Sequence, residues 1–361
     1  MTEPETVSPN VRDLGALKLT MEQWLGERMP QARALKLENF AYPLGAGMSH
    51  ETILFDAHWQ ESGEPRSRGM VVRIKPTTHL VYLDDMFDEQ YRIMSVLHAD
   101  GRVRVAETLW LESDAGILGA PFFVMEKCRG QVAVSVPPYT QSGWLFDASP
   151  EYRRKVWHNG VTQLGLMQTV PLEKLAFLDP PHGPKGFDHE WDRWRRMLTW
   201  ISGEDRFEFL ERAGEALAVT MPDDRPVGLV WGDARLGNMM IDQSGEVAAV
   251  MDWEQTSLGG PLNDLAWWLH HEHLLTDARG VPRLEGMGSR EETIALWSEV
   301  SGKSVSDMEW YEPFTVFKMC CLGIRTWKLN TVMSRGFDPV YNPGSLRLAS
   351  LLDIAPPEPW L

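Results

Sequence analysis

The chain has 361 residues, 43% hydrophobic and 24% charged, with a formal net charge of −16. This is globular composition without disorder bias, long enough for two ordinary domains. The acidic surplus argues against a nucleic-acid partner or an anionic membrane, since phosphate polymers need a basic face.

The three cysteines, Cys128, Cys320 and Cys321, show neither a disulfide framework nor metal-ligand spacing, which fits a reducing, cytoplasmic compartment. Met1 to Asn10 is polar and acidic, unlike a signal peptide. No apolar run reaches the roughly 18–20 residues that a membrane-spanning helix needs. The first 15 residues or so read as a loose tail.

Leu17 to Met29 carries Leu17, Leu19, Met21, Trp24 and Leu25 at helical spacing. Phe40–Leu44 and Thr52–Phe55 read as strands around the glycine turn Gly45-Ala46-Gly47-Met48-Ser49. Gly69–Ile74 is a third strand, Met86–Leu97 a helix, and Glu107–Glu112 and Pro121–Glu126 two further strands. The composition changes near Gly130, and helical patterns dominate from about Pro150. The expectation is an α+β, bilobal protein: a small β-rich lobe over 1–129 and a larger, mostly helical lobe over 130–361, with a cleft between them. Ser289-Arg290-Glu291-Glu292 is a capping box, Ser301-Gly302 ends the helix that follows, and Pro180–Pro184 must be a loop.

One β-type island interrupts the helical part: LVWGDARLGNMMIDQSGEVAAVMDWE, Leu229 to Glu254. Met239–Ile241 and Val247–Met251 form strands around the turn signal Asp242-Gln243-Ser244-Gly245-Glu246. A hairpin of this kind gathers Asp233, Asn238 and Asp252 at its open end. Asp and Asn oxygens suit Mg²⁺. Phosphoryl transfer needs that charge neutralisation, together with a carboxylate that orients the attacking hydroxyl. The D-x-x-x-x-N spacing of Asp233 and Asn238, with Asp252 after the next strand, has the order of the kinase catalytic and metal-binding residues.

The stretch WGDARLGNMMID…VAAVMDWEQTSLGGPLNDLAWWL resembles the aminoglycoside phosphotransferase and choline kinase superfamily. Its nearest subgroup looks like the kinase-like domain of some acyl-CoA dehydrogenases. The likeness runs from roughly Leu44 to Arg325 and is most specific over residues 231–266. It implies a protein-kinase-like fold, with ATP and Mg²⁺ as cofactors and a small-molecule hydroxyl as acceptor. By this resemblance Asp233 would be the catalytic base or hydroxyl-orienting residue, Asn238 and Asp252 would hold the metal, and Arg235 would reach the transferred phosphate or form a salt bridge inside the loop. Asp264 would brace the catalytic loop. Trp231 stands where the superfamily has His; it can pack there but offers no hydrogen-bond acceptor.

On the nucleotide side the resemblance points to Gly45, Gly47 and Ser49 as a turn over the phosphates. Arg73 in VVRIKP is favoured over Lys75 as the phosphate-binding cation. Glu89 would be its partner, although alignment on Tyr91-Arg92 puts the usual Glu at Gln90. Glu126 and Cys128 are placed at the hinge. His270-His271-Glu272-His273 has no evident third metal ligand and reads as a helix face or a wall of the acceptor pocket. Trp191, Trp194, Met197 and Trp200 recur every three residues and read as core packing or an acceptor-side lining. The rival reading, from Trp231, Arg73 and the Glu89/Gln90 ambiguity, is a pseudokinase-like module that binds nucleotide or ligand with little transfer.

Overall fold

The structure, a computed structural model, describes residues 12–43, 51–78, 80–329 and 338–360. The chain divides into two compact units: Met1–Val81 with Ala106–Cys128, and Tyr82–Val105 with Arg129–Leu361.

The first unit begins with helix α1, Leu14–Arg28, whose Asp13 cap accepts from the Gly15 and Ala16 amides. Strands β1 (Arg33–Ala41), β2 (Glu51–Glu61) and β3 (Glu64–Ile74) follow. Helix α2 (Phe87–Asp100) intervenes before β4 (Thr108–Glu112), the short helix α3 (Ala115–Leu118) and β5 (Phe122–Glu126). The five strands form an antiparallel sheet in the order β1-β2-β3-β5-β4.

The β2–β3 hairpin runs in unbroken register from Glu51↔Ile74 to Glu61↔Glu64. It is much longer than the strands expected at Thr52–Phe55 and Gly69–Ile74. In its outer half Glu64–Ser67 of β3 is exposed and the facing end of β2 is mostly half-buried, so little hydrophobic alternation marks it. Its two-residue turn, Ser62 and Gly63, has φ of 55° and 84°, the left-handed pair that matches strand twist. The first strand likewise starts at Arg33, well before Phe40.

Leu17, Met21, Trp24 and Leu25 of α1 bury one sheet face, meeting Leu37, Ile53, Phe55, Met70, Val72, Ile74, Phe122 and Val124. Because successive residues of a strand point to opposite faces, Arg73 lies on the face away from α1. Trp24 stands edge-on to Phe122 at 4.9 Å between centroids, and its Nε1 donates to Glu112 at 2.9 Å.

The second unit includes α2, although this helix lies upstream of residue 129 in the sequence. The segment before α2 is tied to this unit by Asp84, which takes both terminal nitrogens of Arg196 at 2.8 Å. Strand β6 (Gln131–Val132) precedes α4 (Trp144–Asp147), α5 (Pro150–Met167), α6 (Gly186–Ser202) and α7 (Glu208–Val219). Strands β7 (Met239–Ile241) and β8 (Val247–Val250) come next, then α8 (Leu262–Leu275), α9 (Arg290–Ser301), α10 (Met308–Lys328) and α11 (Pro343–Leu352).

The strands form a small sheet, β6-β7-β8, in which β6 is a partner that the sequence does not announce. Both halves of the Ser289–Glu292 capping box are present, and Gly302 ends α9 in the left-handed region. Trp157 of α5 donates to Thr293 of α9 at 3.1 Å. Trp194 and Met197 are buried, and Trp191 packs on Trp310 and Phe314. Arg325 lies over Trp200, so the tryptophan series of α6 serves packing. All three cysteines are free, and among the described residues no helix is long and apolar enough to cross a membrane.

Trp24 ties α1 to the sheet through both ring packing and a hydrogen bond. Trp24→Ala should therefore cost about 3–5 kcal/mol of stability, read from denaturant unfolding. A loss below about 1 kcal/mol would mean that α1 is not part of this core.

Candidate active site

The β7–β8 hairpin pairs Met239 with Val250, and Asp242 closes its turn by accepting from the Ser244 and Glu246 amides. A single 3₁₀ turn, Leu236–Asn238, leads into β7. At the open end the Met251 amide donates to the Asn238 carbonyl at 2.9 Å. This ladder bond sets Asn238 opposite Met251, one residue before Asp252.

Asp233 is the centre of the loop. Its Oδ1 accepts from Trp267 Nε1 at 2.9 Å, and its Oδ2 accepts from Arg235 Nε at 2.9 Å and Asn238 Nδ2 at 2.6 Å. The same Asn238 Nδ2 donates to the Asp233 carbonyl at 3.0 Å, which leaves Oδ1 as the amide's remaining acceptor. Burial raises the Asp233 pKa, but the Arg235 charge and the hydrogen bonds from Arg235 and Asn238 outweigh it and hold the carboxyl below its ordinary value. Asp233 is thus ionised at neutral pH. Arg235 also donates to Ser135 Oγ at 3.2 Å. Burial and the neighbouring Arg235 push His271 down to about 4 against the pull of Asp233, so this imidazole is neutral.

Asp264, at the start of α8, is 1% exposed. Its two oxygens accept from the backbone amides of Trp231 at 2.7 Å and Gly232 at 2.8 Å. Gly232 has φ of 102°, and a Cβ there would lie 2.3 Å from Gln255 Cβ, so only glycine fits. Burial pushes the Asp264 pKa up to about 6, against the two amide hydrogen bonds. Lys318 approaches from α10: fully buried, it donates to Asn263 Oδ1 at 2.7 Å and lies 3.6 Å from Glu190.

Trp231 is fully buried, and its Nε1 donates to the carbonyls of Met251 at 2.7 Å and Asp252 at 3.1 Å. In place of an acceptor, the ring acts as a donor and ties the loop to the end of β8. Asp252 has φ of 65°, a left-handed conformation that is uncommon for a non-glycine residue and is often found at functional sites.

The remaining expected residues are spread over the chain. Gly45, Gly47 and Ser49 lie outside the described residues. Arg73 pairs through its backbone with Thr52 and Phe123 on β3 of the first unit. Glu89 is half-buried on α2, in the second unit, and Gln90 beside it is 1% exposed. Glu126 ends β5, and Cys128, its thiol raised to about 11 by burial, is the last residue of the first unit. Glu272 accepts from Tyr139 and Arg283, and no three His, Cys, Asp or Glu side chains cluster as a metal cage among the described residues.

Trp267 and Ser135 were not singled out from the sequence. A signal for Trp267 exists: it lies three residues after Asp264 and so shares its helix face. Ser135 gives no such signal.

The raised pKa of Asp264 has a definite sign. The folded chain takes up this proton more readily than the unfolded one, so the group's stabilising contribution is fully present below about pH 4 and is lost as pH rises through about 6. Between pH 7.5 and 5 the wild type should gain about 1 kcal/mol relative to Asp264→Asn, read from paired unfolding curves. An unchanged difference would show that Asp264 titrates normally.

Comparison with known proteins identifies the family. Mouse acyl-CoA dehydrogenase family member 10 is 30% identical over 210 residues, 55% of this chain and 18% of that one. This chain spans about a third or less of the length of the curated relatives it matches. An aminoglycoside-phosphotransferase-like protein from Ralstonia eutropha JMP134 superposes with a TM-score of 0.65 at 20% identity, over 93% of this chain and 95% of that one. A thermostable mutant of the aminoglycoside phosphotransferase APH(4)-Ia, solved with ADP and hygromycin B, gives 0.54 at 16%, over 92% and 98%. Choline kinase LicA from Streptococcus pneumoniae gives 0.55 at 13%, over 92% and 99%. These likenesses show a kinase-like fold, β-rich at the N-terminal side and mostly helical after it. Residues 43–301 match the phosphotransferase enzyme family, and the chain belongs to that family.

Proposed function

We propose that this phosphotransferase moves the γ-phosphoryl group of ATP, with Mg²⁺, onto a hydroxyl of a small molecule. The observation that carries the reading is the ionised Asp233 carboxylate, held by Trp267, Arg235 and Asn238 beside the end of the β7–β8 hairpin. The nucleotide-bound relative supports nucleotide use.

In this reading Asp233 accepts a hydrogen bond from the acceptor hydroxyl and aims its oxygen for in-line attack. Its low pKa suits an orienting carboxylate, with proton transfer late in a loose transition state. Asn238 Oδ1 and the Asp252 carboxylate are the oxygens that would hold Mg²⁺. The donor set fits, because this ion commonly takes only one or two protein oxygens beside phosphates and water. The ion would supply charge neutralisation on the transferring phosphoryl group. Arg235, 2.9 Å from Asp233, is the cation that would reach the transferred group. Residues 1–129 would form the nucleotide lobe and 130–361 the catalytic and acceptor lobe. The nucleotide-side residues are Gly45, Gly47, Ser49, Arg73, Glu89, Glu126 and Cys128. A cytoplasmic setting fits the free thiols.

Asp233→Asn should lower transfer across a panel of hydroxylated acceptors by at least about a thousandfold, while the melting-temperature shift with MgADP persists. Unchanged transfer would overturn the assigned role. A wild type that binds MgADP yet transfers to nothing would favour the pseudokinase-like alternative.

A further inference from the structure

One segment of the second unit, residues 82–86 just before α2, is tied to the catalytic loop from outside the hairpin. Two arginines of α6 hold it. Asp84 takes both terminal nitrogens of Arg196 at 2.8 Å and lies 3.4 Å from Arg193 Nε. Arg193 Nη1 in turn donates to the Gln255 carbonyl at 3.1 Å. The Gln255 side chain closes the frame, its Nε2 donating to the Tyr82 hydroxyl at 2.8 Å. Gln255 is also the residue that packs against Gly232, next to Asp233. Tyr82 is thus fixed to the loop through the side chain of Gln255 and, by way of Asp84 and Arg193, through its backbone.

The hydroxyl has one bond left to make. It accepts from Gln255, and its own hydrogen meets no acceptor among the described residues. Gln255 Oε1 is buried and likewise without a partner among them. Turning the amide over would let it accept from Tyr82 but would strand the Gln255 amide hydrogens instead, so the pair is one partner short in either orientation. Tyr82 stays protonated: burial pushes its pKa well above the ordinary phenol value, and the charges of Glu254, Asp233 and Asp252 push the same way against Arg235. Arg235 feels Tyr82 in return. Asp233, Asp252 and Arg235 are the groups that surround the reacting centre in the phosphotransfer reading.

Resting on that reading, we propose that Tyr82 is a further catalytic residue, its hydroxyl donating to an oxygen of the transferring phosphoryl group. Asp233 orients the attacking hydroxyl and Asp252 faces the phosphate oxygens through the ion, so the phosphoryl group passes between them. A fixed donor within the field of both carboxylates borders that passage. It is in place before the reaction begins, so it stabilises charge on the moving oxygens without rearranging. The acceptor oxygen bonds to phosphorus, and the bond from phosphorus to the β–γ bridging oxygen breaks with its electron pair leaving on ADP. The acceptor's proton goes to Asp233, and Tyr82 keeps its own.

The test uses the full chain and needs no acceptor. Aluminium fluoride, a stand-in for the phosphoryl group in transit, is titrated into the protein with MgADP while the melting temperature is followed. The wild type should gain one shift from MgADP and a further one from aluminium fluoride. Tyr82→Phe, which removes only the hydroxyl, should keep the MgADP shift and need at least about tenfold more aluminium fluoride to reach half of the further one. An unchanged aluminium fluoride midpoint would overturn the proposal. So would an MgADP shift weakened as much as the further one, because the hydroxyl would then be structural. A wild type that binds MgADP but gains nothing from aluminium fluoride would overturn the role of Tyr82 and leave phosphotransfer to the acceptor panel. No MgADP shift at all would overturn the phosphotransfer reading and the proposal with it. If Tyr82→Phe fails to fold, Gln255→Met, which releases the phenol from its brace, takes its place; the same midpoint should rise, and an unchanged one would overturn the proposal.

Discussion

A carboxylate that holds two backbone amides is the constraint around which this site is organised. Asp264 accepts from the Trp231 and Gly232 amides, and the turn they make delivers Asp233 to Trp267, Arg235 and Asn238. A backbone N–H fixed by a buried carboxylate loses the freedom that a surface loop would have, and losing the acceptor would leave two buried donors unsatisfied. Gly232 is the necessary counterpart: its positive φ and the closeness of Gln255 leave no room for a side chain.

The support for Asp264 is itself layered. Lys318 lies against the rings of Trp194, Trp267 and Phe314, bonds Asn263, and faces Glu190, which accepts from Trp194 and Ser257. Three helices, α6, α8 and α10, meet in this buried polar group. A buried ammonium is costly alone and tolerable when paired and hydrogen-bonded. One of its rings, Trp267, also donates to Asp233, so core packing and site geometry share a residue. Trp231 adds the second link, from the loop to the carbonyls of Met251 and Asp252. That link lies next to Asp252, whose backbone conformation is uncommon for a non-glycine residue.

Helix α8 divides its faces between two sets of contacts. Asp264, Trp267 and His271 share the face turned to the loop around Asp233, whereas His270 and His273 lie on another face, where His273 meets Arg347.

The residues legible in the sequence were those whose placement is local. Asp233, Asn238 and Asp252 are ordered by a short hairpin, and hairpin register follows from strand periodicity and a turn signal only a few residues long. The capping box of α9 is local in the same way. The outer half of β2–β3 was not legible, because a strand that is exposed or half-buried needs no hydrophobic alternation. Trp267, Ser135 and Lys318 come to the site from helices and loops separated from it by tens of residues. Nothing in their immediate neighbours encodes that meeting. The sequence by itself determined the type and order of the acid, amide and acid around the hairpin. Only the tertiary structure decided which donors complete Asp233, because those contacts form when the helices of the second unit pack.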